Sequence, residues 1–176
     1  AGVYARTRTS SALQPGVRDA LVELIDFPAT VEALAGLSPT HTHYGRSLLP
    51  LLAGETAVHR DAVFCEGGRL HGEAQAMEIE SNPSLDPGKL YWPRMVAQRS
   101  EGPEHTRAAM CRTQEYKYVR RLYELDELYD LRLDPQETNN RINDPEYAPI
   151  LAGLKERMLA WYMETCDVVP FEIDPR

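Results

Sequence analysis

The stretch AAMCRTQEYKYVRRLYELDELYDL, residues 108–131, decides the fold. Ala108–Thr113 and Tyr116–Arg121 read as two strands joined at Gln114-Glu115, and Glu127–Leu131 reads as a third. Tyr116, Tyr118, Val119, Tyr123 and Tyr129 supply the aromatic and β-branched side chains that suit a half-buried pleated surface. Asp134-Pro135 breaks the strand pattern, and Asn139-Asn140 marks a turn. A helix is then expected over about residues 145–165, with Asp144 as N-cap, Pro145 at its first position and Glu146 in its first turn. Along it Ile150, Leu151, Leu154, Met158, Trp161, Tyr162 and Thr165 recur at three- and four-residue steps and make one apolar face. The expectation is an α+β arrangement, a small antiparallel sheet of about four strands packed against a long C-terminal helix.

Upstream, Val22–Gly36 reads as a strand end followed by a helix. Asp26 can cap it, Pro28 falls where a helix tolerates proline, and Val31, Leu34 and Ala35 share a face before Gly36 stops it. Leu48–Ala53 is a short apolar helical turn closed by Gly54. A polar loop with His41 and His43 lies between them, and Ala62–Cys65 is a brief apolar strand. Residues 67–105 carry glycines, prolines and mixed charges around Tyr91-Trp92-Pro93-Arg94, without periodicity; such a stretch is either disordered or a functional loop, and the aromatics favour an ordered loop. The extended end, Val168 to Arg176, is expected to lie along a surface groove, because its Val, Phe and Ile side chains gain by burial.

Composition narrows the function classes. The 176 residues are 43% hydrophobic and 26% charged, enough for a core and unlike a disordered chain. Nineteen basic against 27 acidic residues leave a net charge of −8, so the footprint of a nucleic-acid binder is missing. No apolar run has the roughly 18 residues of a membrane span. Three cysteines at separations of 46 and 55 residues fit neither a disulfide framework nor paired zinc knuckles. His41 and His43, and the set His59, Cys65, His71 and Cys111, match no zinc spacing, so a solvated loop pair and ordinary core residues describe them. Lys117–Arg121 is basic and aromatic, but the acids Glu124, Asp126 and Glu127 follow it, and cross-strand ion pairing accounts for the charge. The chain starts at Ala1 with no targeting segment and reads as a piece of a longer protein; its cellular compartment is left open.

Four segments carry a resemblance. Glu23-Leu24-Ile25-Asp26-Phe27-Pro28-Ala29-Thr30 with Leu34-Ala35-Gly36-Leu37 resembles the D-x-x-P-T…L-A-G segment of sulfatases, altered here to Pro-Ala-Thr. Gly45-Arg46-Ser47-Leu48-Leu49-Pro50-Leu51-Leu52-Ala53-Gly54 is similar to their G-x-S-L-x-P-L-L-x-G stretch. Arg112-Thr113-Gln114-Glu115-Tyr116-Lys117-Tyr118 resembles R-T-x-x-Y-K-Y, and Glu127–Asn140 resembles E-L-Y-D-L-x-x-D-P-x-E-x-x-N. All four occur in the family's order. The resemblance implies the C-terminal portion of a formylglycine-dependent sulfatase of the alkaline phosphatase superfamily. Residues 1–60 would then be the end of the α/β catalytic domain, and residues 61–176 the C-terminal α+β subdomain with its irregular loop 67–105.

Sulfate ester cleavage needs a strong nucleophile, a cation on the sulfate oxygens and an acid for the leaving group. The family makes its nucleophile from C/S-x-P/A-x-R. The nearest match, Cys65-Glu66-Gly67-Gly68-Arg69, has Gly67 where Pro or Ala belongs and stands after the C-terminal landmarks. The family's cation ligands, Asp-Asp and Asp-Asn or Asp-His, are not in the sequence. No catalytic residue and no metal ligand is therefore assigned to this chain, which alone is expected to be inactive. The resemblance implies that calcium, or another divalent cation, and formylglycine belong to the N-terminal part. Glu66, His71, Tyr91 and Arg94, in or beside the irregular segment, are the candidate substrate-binding residues. Arg94 would hold an anionic group, and Tyr91 with Trp92 would stack on a ring. The apolar 48–52 segment would meet the catalytic half or a second copy of the chain. Two alternatives remain beside the sulfatase: a non-catalytic binding or oligomerisation module, and a phosphonate or phosphate ester hydrolase of the same superfamily.

Overall fold

A computed structural model of the chain describes residues 13–73, 86–90, 92–93, 102 and 105–172. The sheet has four strands in the order β1-β2-β3-β4, all antiparallel: β1 Val63–Gly67, β2 Ala108–Arg112, β3 Tyr116–Arg121 and β4 Glu127–Asp130. The β2–β3 connection closes at Gln114-Glu115, where the Thr113 amide donates to the Tyr116 carbonyl (2.8 Å). The Thr113 hydroxyl accepts from the Tyr116 amide at 3.0 Å, which explains a threonine before the turn.

Register assigns the faces. Phe64, Cys111, Tyr118 and Leu128 lie opposite one another across the four strands and form one row. They face α3, the helix Ala148–Thr165, which is preceded by a 3-10 turn at Pro145–Tyr147. As the sequence predicts, the Asp144 carboxylate accepts from the Glu146 amide (3.1 Å). The core is Ala62, Ala109, Cys111, Tyr118 and Leu128 beneath Leu154 and Met158, with Ile150 and Leu151 packed at its margin. Trp161 stacks on Phe64, centroids 4.8 Å apart and planes 5° apart. Tyr162, expected on the apolar face, turns to the surface.

The free edge of β4 is closed by a side chain. Asn140 accepts from the Leu128 amide (2.9 Å) and donates to the Asp126 carbonyl (3.0 Å), and the Arg141 amide reaches the Leu128 carbonyl (2.7 Å). Unpaired strand edges invite pairing with other chains, and this device removes one.

α1, Asp26–Ala35, ends at Gly36 in the left-handed conformation (φ 69°). Its facing differs from the sequence expectation. Asp26, Ala29 and Thr30 are the buried residues, whereas Leu24, Phe27 and Val31 are 93, 60 and 47% exposed. Nor does Asp26 cap the helix, because its carboxylate is turned into the interior. α2 is a single apolar turn, Leu49–Leu52. Leu51 is buried and Leu48, Leu49 and Leu52 are half-buried, so the broad exposed apolar surface lies on α1 instead of residues 48–52.

The tail does lie along the surface: the Thr42 amide donates to the Val169 carbonyl (2.8 Å) and the Phe171 amide to that of Thr40 (3.0 Å). It is held by backbone bonds, and Val168, Val169 and Phe171 stay exposed, against the burial expected of them.

Candidate functional site

Two places gather polar side chains: a buried knot beneath α1, and the rim where β1 leaves the sheet and β2 enters it.

The knot centres on Asp26, which is fully buried. Arg60 binds it with Nε at 2.9 Å and with Nη2, and the amides of Glu23 (2.9 Å) and Arg46 (2.8 Å) donate to its oxygens. His59 brings Nε2 within 3.2 Å of Oδ2, at an angle too oblique for a hydrogen bond. Burial pushes the Asp26 carboxyl up, but the Arg60 guanidinium and the two amides outweigh it and hold the group well below the usual carboxylate range. Arg60 also pairs with Glu23 (3.1 Å), whose other oxygen accepts from the Phe64 amide on β1 (2.7 Å). Nearby, the Thr30 hydroxyl donates to the Asp26 carbonyl (2.6 Å) and accepts from the Leu48 amide (2.9 Å). The first two sequence motifs are thus stitched together by Asp26 and Thr30. Asp26, Arg60, Glu23 and Thr30 are each committed to another group, while the buried His59 Nε2 has no hydrogen-bond partner among the described residues; the knot reads as a joint between the first two motifs.

The later motifs are also scaffold. Lys117 pairs with Glu137, linking the third motif to the fourth. The Tyr118 hydroxyl donates to Asp126 (2.7 Å), and Asp130 holds Arg132 (2.9 Å). Asp134 closes the Thr138-Asn139 turn, and Asn140 seals β4.

The rim begins at Gly68, whose positive φ of 82° turns the chain off β1. A Cβ there would strike the Thr106 carbonyl. Arg69 then pairs with the segment before β2: its amide donates to the His105 carbonyl (2.8 Å) and its carbonyl accepts from the Arg107 amide (3.0 Å). His71 stacks on Tyr123 of the β3–β4 loop, centroids 3.8 Å apart and planes 10° apart, and its amide donates to the Tyr123 hydroxyl (3.2 Å). The Thr106 hydroxyl contacts both oxygens of Glu124 (2.8 and 2.7 Å), and Arg107 faces Glu73 at 3.6 Å. Glu66, on the α3 side of β1, accepts from the Tyr162 hydroxyl (3.0 Å).

Of the four candidate residues, Glu66 and His71 therefore share one end of the sheet with different partners. Tyr91 and Arg94 lie outside the described residues. Tyr123 and Tyr162 were missed. An exposed aromatic in a turn that polar residues usually fill was the available signal for Tyr123. Tyr162 reads from sequence as one more member of an apolar stripe. The rim offers a flat aromatic platform, carboxylates and guanidinium groups, a set that binds and orients a polar ring. Cys65 sits in β1 opposite Met110, on the face away from α3.

Residues 100–164 match the family model of the C-terminal region of N-sulphoglucosamine sulphohydrolase. Among solved structures, a 2-O GAG sulfatase aligns at 26% identity with a TM-score of 0.55, over 81% of this chain and 25% of that one. A phosphonate monoester hydrolase of Agrobacterium radiobacter aligns at 25% identity and TM-score 0.54, over 84% and 28%. The corresponding enzyme from Silicibacter pomeroyi gives 25% and 0.54, over 81% and 25%. The chain thus spans about a quarter of the length of these structures. In motif order, family model and fold it is similar to the C-terminal portion of sulfatases of the alkaline phosphatase superfamily.

Proposed function

We propose that the chain is the C-terminal part of a sulfatase-type ester hydrolase, that it docks on the rest of the catalytic domain through α1, and that its rim shapes the substrate mouth. The observation that carries this reading is the facing of α1, with Asp26, Ala29 and Thr30 inward and Phe27 and Val31, beside Leu24 of the preceding turn, outward. Full burial of such a side chain stabilises by about 1.5–3 kcal/mol, so this face forgoes several kcal/mol until something covers it. A binding or oligomerisation module can present the same face, so the preference for a larger sheet of the same enzyme rests on this face together with the similarity to sulfatase C-terminal regions.

In this reading the nucleophile and the divalent cation, calcium or another, sit in the remainder of the enzyme. Among the described residues no three His, Cys, Asp or Glu gather to hold a cation, and no catalytic step is assigned to them. Glu66, His71 and Tyr123, with Tyr91 and Arg94 of the segment that leaves this rim, contact the organic part of the substrate. Phosphonate monoester hydrolysis is the second reading, favoured by the similarity to two such enzymes.

The test begins with the 176-residue chain, assayed on 4-nitrophenyl sulfate and phenyl phosphonate with calcium, and sedimented over a concentration series. No turnover is expected. Self-association is expected, and Phe27→Asp with Val31→Asp should abolish it without altering the far-UV circular dichroism. Turnover by a chain of 19.9 kDa, or an unmodified chain that stays monomeric at high concentration, would overturn the proposal. In the longer enzyme the ratio of kcat/KM for the two esters separates the readings, and Arg94→Ala should raise KM; unchanged constants remove Arg94 from the site.

A further inference from the structure

A second site lies between α3 and the end of β3. It is a cleft of about 460 Å³ lined by Tyr118, Arg120, Lys155, Met158, Leu159 and Tyr162. The sequence creates it locally. Glu66, Ala109 and Arg120 lie opposite one another on neighbouring strands, on the face that carries α3. Ala109, the middle member, is small and buried in the core beside the cleft, whose own lining comes from β3 and α3. The Tyr118 ring and Met158 close the inner end, both buried, and Leu159 and Tyr162 form the outer wall.

The lining residues include two cations, Lys155 and Arg120; two carboxylates touch the same lining from outside it, Asp126 on Arg120 and Tyr118, and Glu66 on Tyr162. Lys155 places Nζ 5.7 Å from the centroid of the Tyr118 ring, a cation over an aromatic face. Among the described residues no carboxylate lies within ion-pair distance of it. Arg120 stands at the phenol end, where Nη1 meets Asp126 at 3.0 and 3.1 Å, the same carboxylate that accepts the Tyr118 hydroxyl. Asp126 thereby fixes Arg120 in place while engaging one of its three nitrogens. The result is a helix wall of Leu159 and Tyr162, the Lys155 ammonium at one end and the Asp126-paired Arg120 guanidinium at the other, in a cleft within the size range of small-ligand sites.

We infer that this cleft binds a small amphiphilic anion: an aromatic or aliphatic body carrying one carboxylate, sulfate or phosphate. The body lies along the exposed Leu159 and Tyr162, above the buried Met158, and the anionic head sits between Lys155 and Arg120. The cleft meets the rim at Tyr162, whose hydroxyl donates to Glu66, and the inference does not rest on the hydrolase reading. An anion held there stabilises the α3–sheet contact by mass action, since the cleft exists only when α3 is docked.

The experiment titrates the isotope-labelled chain with 2-naphthoate and, in parallel, with neutral 2-naphthalenemethanol, following backbone amide shifts. Saturable shifts are expected at Ala109, Lys155 and Leu159 with naphthoate. The neutral alcohol and added salt should each weaken binding at least fivefold, as should Lys155→Met, which keeps the apolar stem and removes the charge. Lys155 is exposed, so this variant is expected to fold; Arg120→Gln supplies the same comparison from the other end. Equal affinity for acid and alcohol, shifts that map elsewhere, or a Lys155→Met titration identical to the unmodified one would each overturn the inference.

Discussion

Asp26 is the residue whose replacement the structure prices most clearly. It is fully buried and meets Arg60 through two nitrogens, while two backbone amides fill its remaining acceptor positions. Removing one partner of a buried ion pair costs about 3–5 kcal/mol, because the survivor is left charged and dry. Arg60 keeps Glu23 at 3.1 Å and the Tyr44 carbonyl at 2.9 Å, so Asp26→Asn belongs at the lower end, about 3 kcal/mol. That is a large part of the roughly 5–15 kcal/mol that holds a typical domain together, and it should lower Tm by about 6–12 °C. The sign of its pH dependence follows from the depressed carboxyl. The folded state favours the charged form, so the contribution is complete above the unfolded value of 3.8 and is lost as pH falls through the lower folded value. Urea unfolding of both proteins at neutral pH and in acid measures the gap. It should be about 3 kcal/mol near neutrality and narrow in acid. A neutral-pH gap below about 1 kcal/mol, the worth of one ordinary hydrogen bond, or a gap indifferent to pH, would refute the account of the knot.

Three further outcomes follow from single positions. Gly68→Ala sets a Cβ against the Thr106 carbonyl at a positive φ, and should cost about 2 kcal/mol or more in urea unfolding; a change within about 0.5 kcal/mol would show that the rim turn has another conformation. Asn140→Ala exposes the β4 edge and should cost about 2 kcal/mol, with faster hydrogen exchange at the Leu128 amide as the specific signature; an unchanged Leu128 amide refutes the edge-sealing role. Cys111 is fully buried and its thiol is pushed up to about 11 by that burial, while Cys65 and Cys166 are exposed, so a disulfide reagent should titrate two thiols in the native chain and the third only on unfolding.

The sheet and α3 were legible because their signals are local. Strand propensity, the Gln114-Glu115 turn and the three- and four-residue spacing of Leu154 and Met158 each specify their own element and agree with one another. α1 was legible as a helix and misread in its facing. Periodicity finds an apolar stripe but not which way it points, and the inward side is decided by Arg60, thirty-four positions away, reaching Asp26. The candidate site was legible only in part for the same reason. His71 carries no signal until the fold brings Tyr123 under its ring, and Glu66 none until Tyr162 reaches across from α3. The resemblance added the family; it did not reveal that most of its motif residues are knots, turn closures and edge seals.

Two inward-facing polar residues under a helix with an apolar outer face suggest what the knot is for. Burying four ionisable groups is expensive, and well-packed apolar residues in such positions are often neutral or stabilising by about 1–4 kcal/mol. Apolar contacts, however, are non-directional. With a leucine at 26 and a methionine at 60, α1 would be apolar on both sides, free to roll Phe27 and Val31 inward. The hydrogen bonds of Asp26 and Thr30 have direction, and they fix the rotation that presents Leu24, Phe27 and Val31 outward. The triple variant Asp26→Leu, Arg60→Met and Glu23→Gln, which leaves no buried carboxylate without its cation, should therefore stay within about 2 kcal/mol of the unmodified stability or exceed it. It should also lose hydrogen-exchange protection along α1, and bury Phe27 as read by protection of a cysteine placed there from labelling. If α1 keeps its protection and its outward face without the charges, orientation is set by packing alone, and the knot contributes stability without direction.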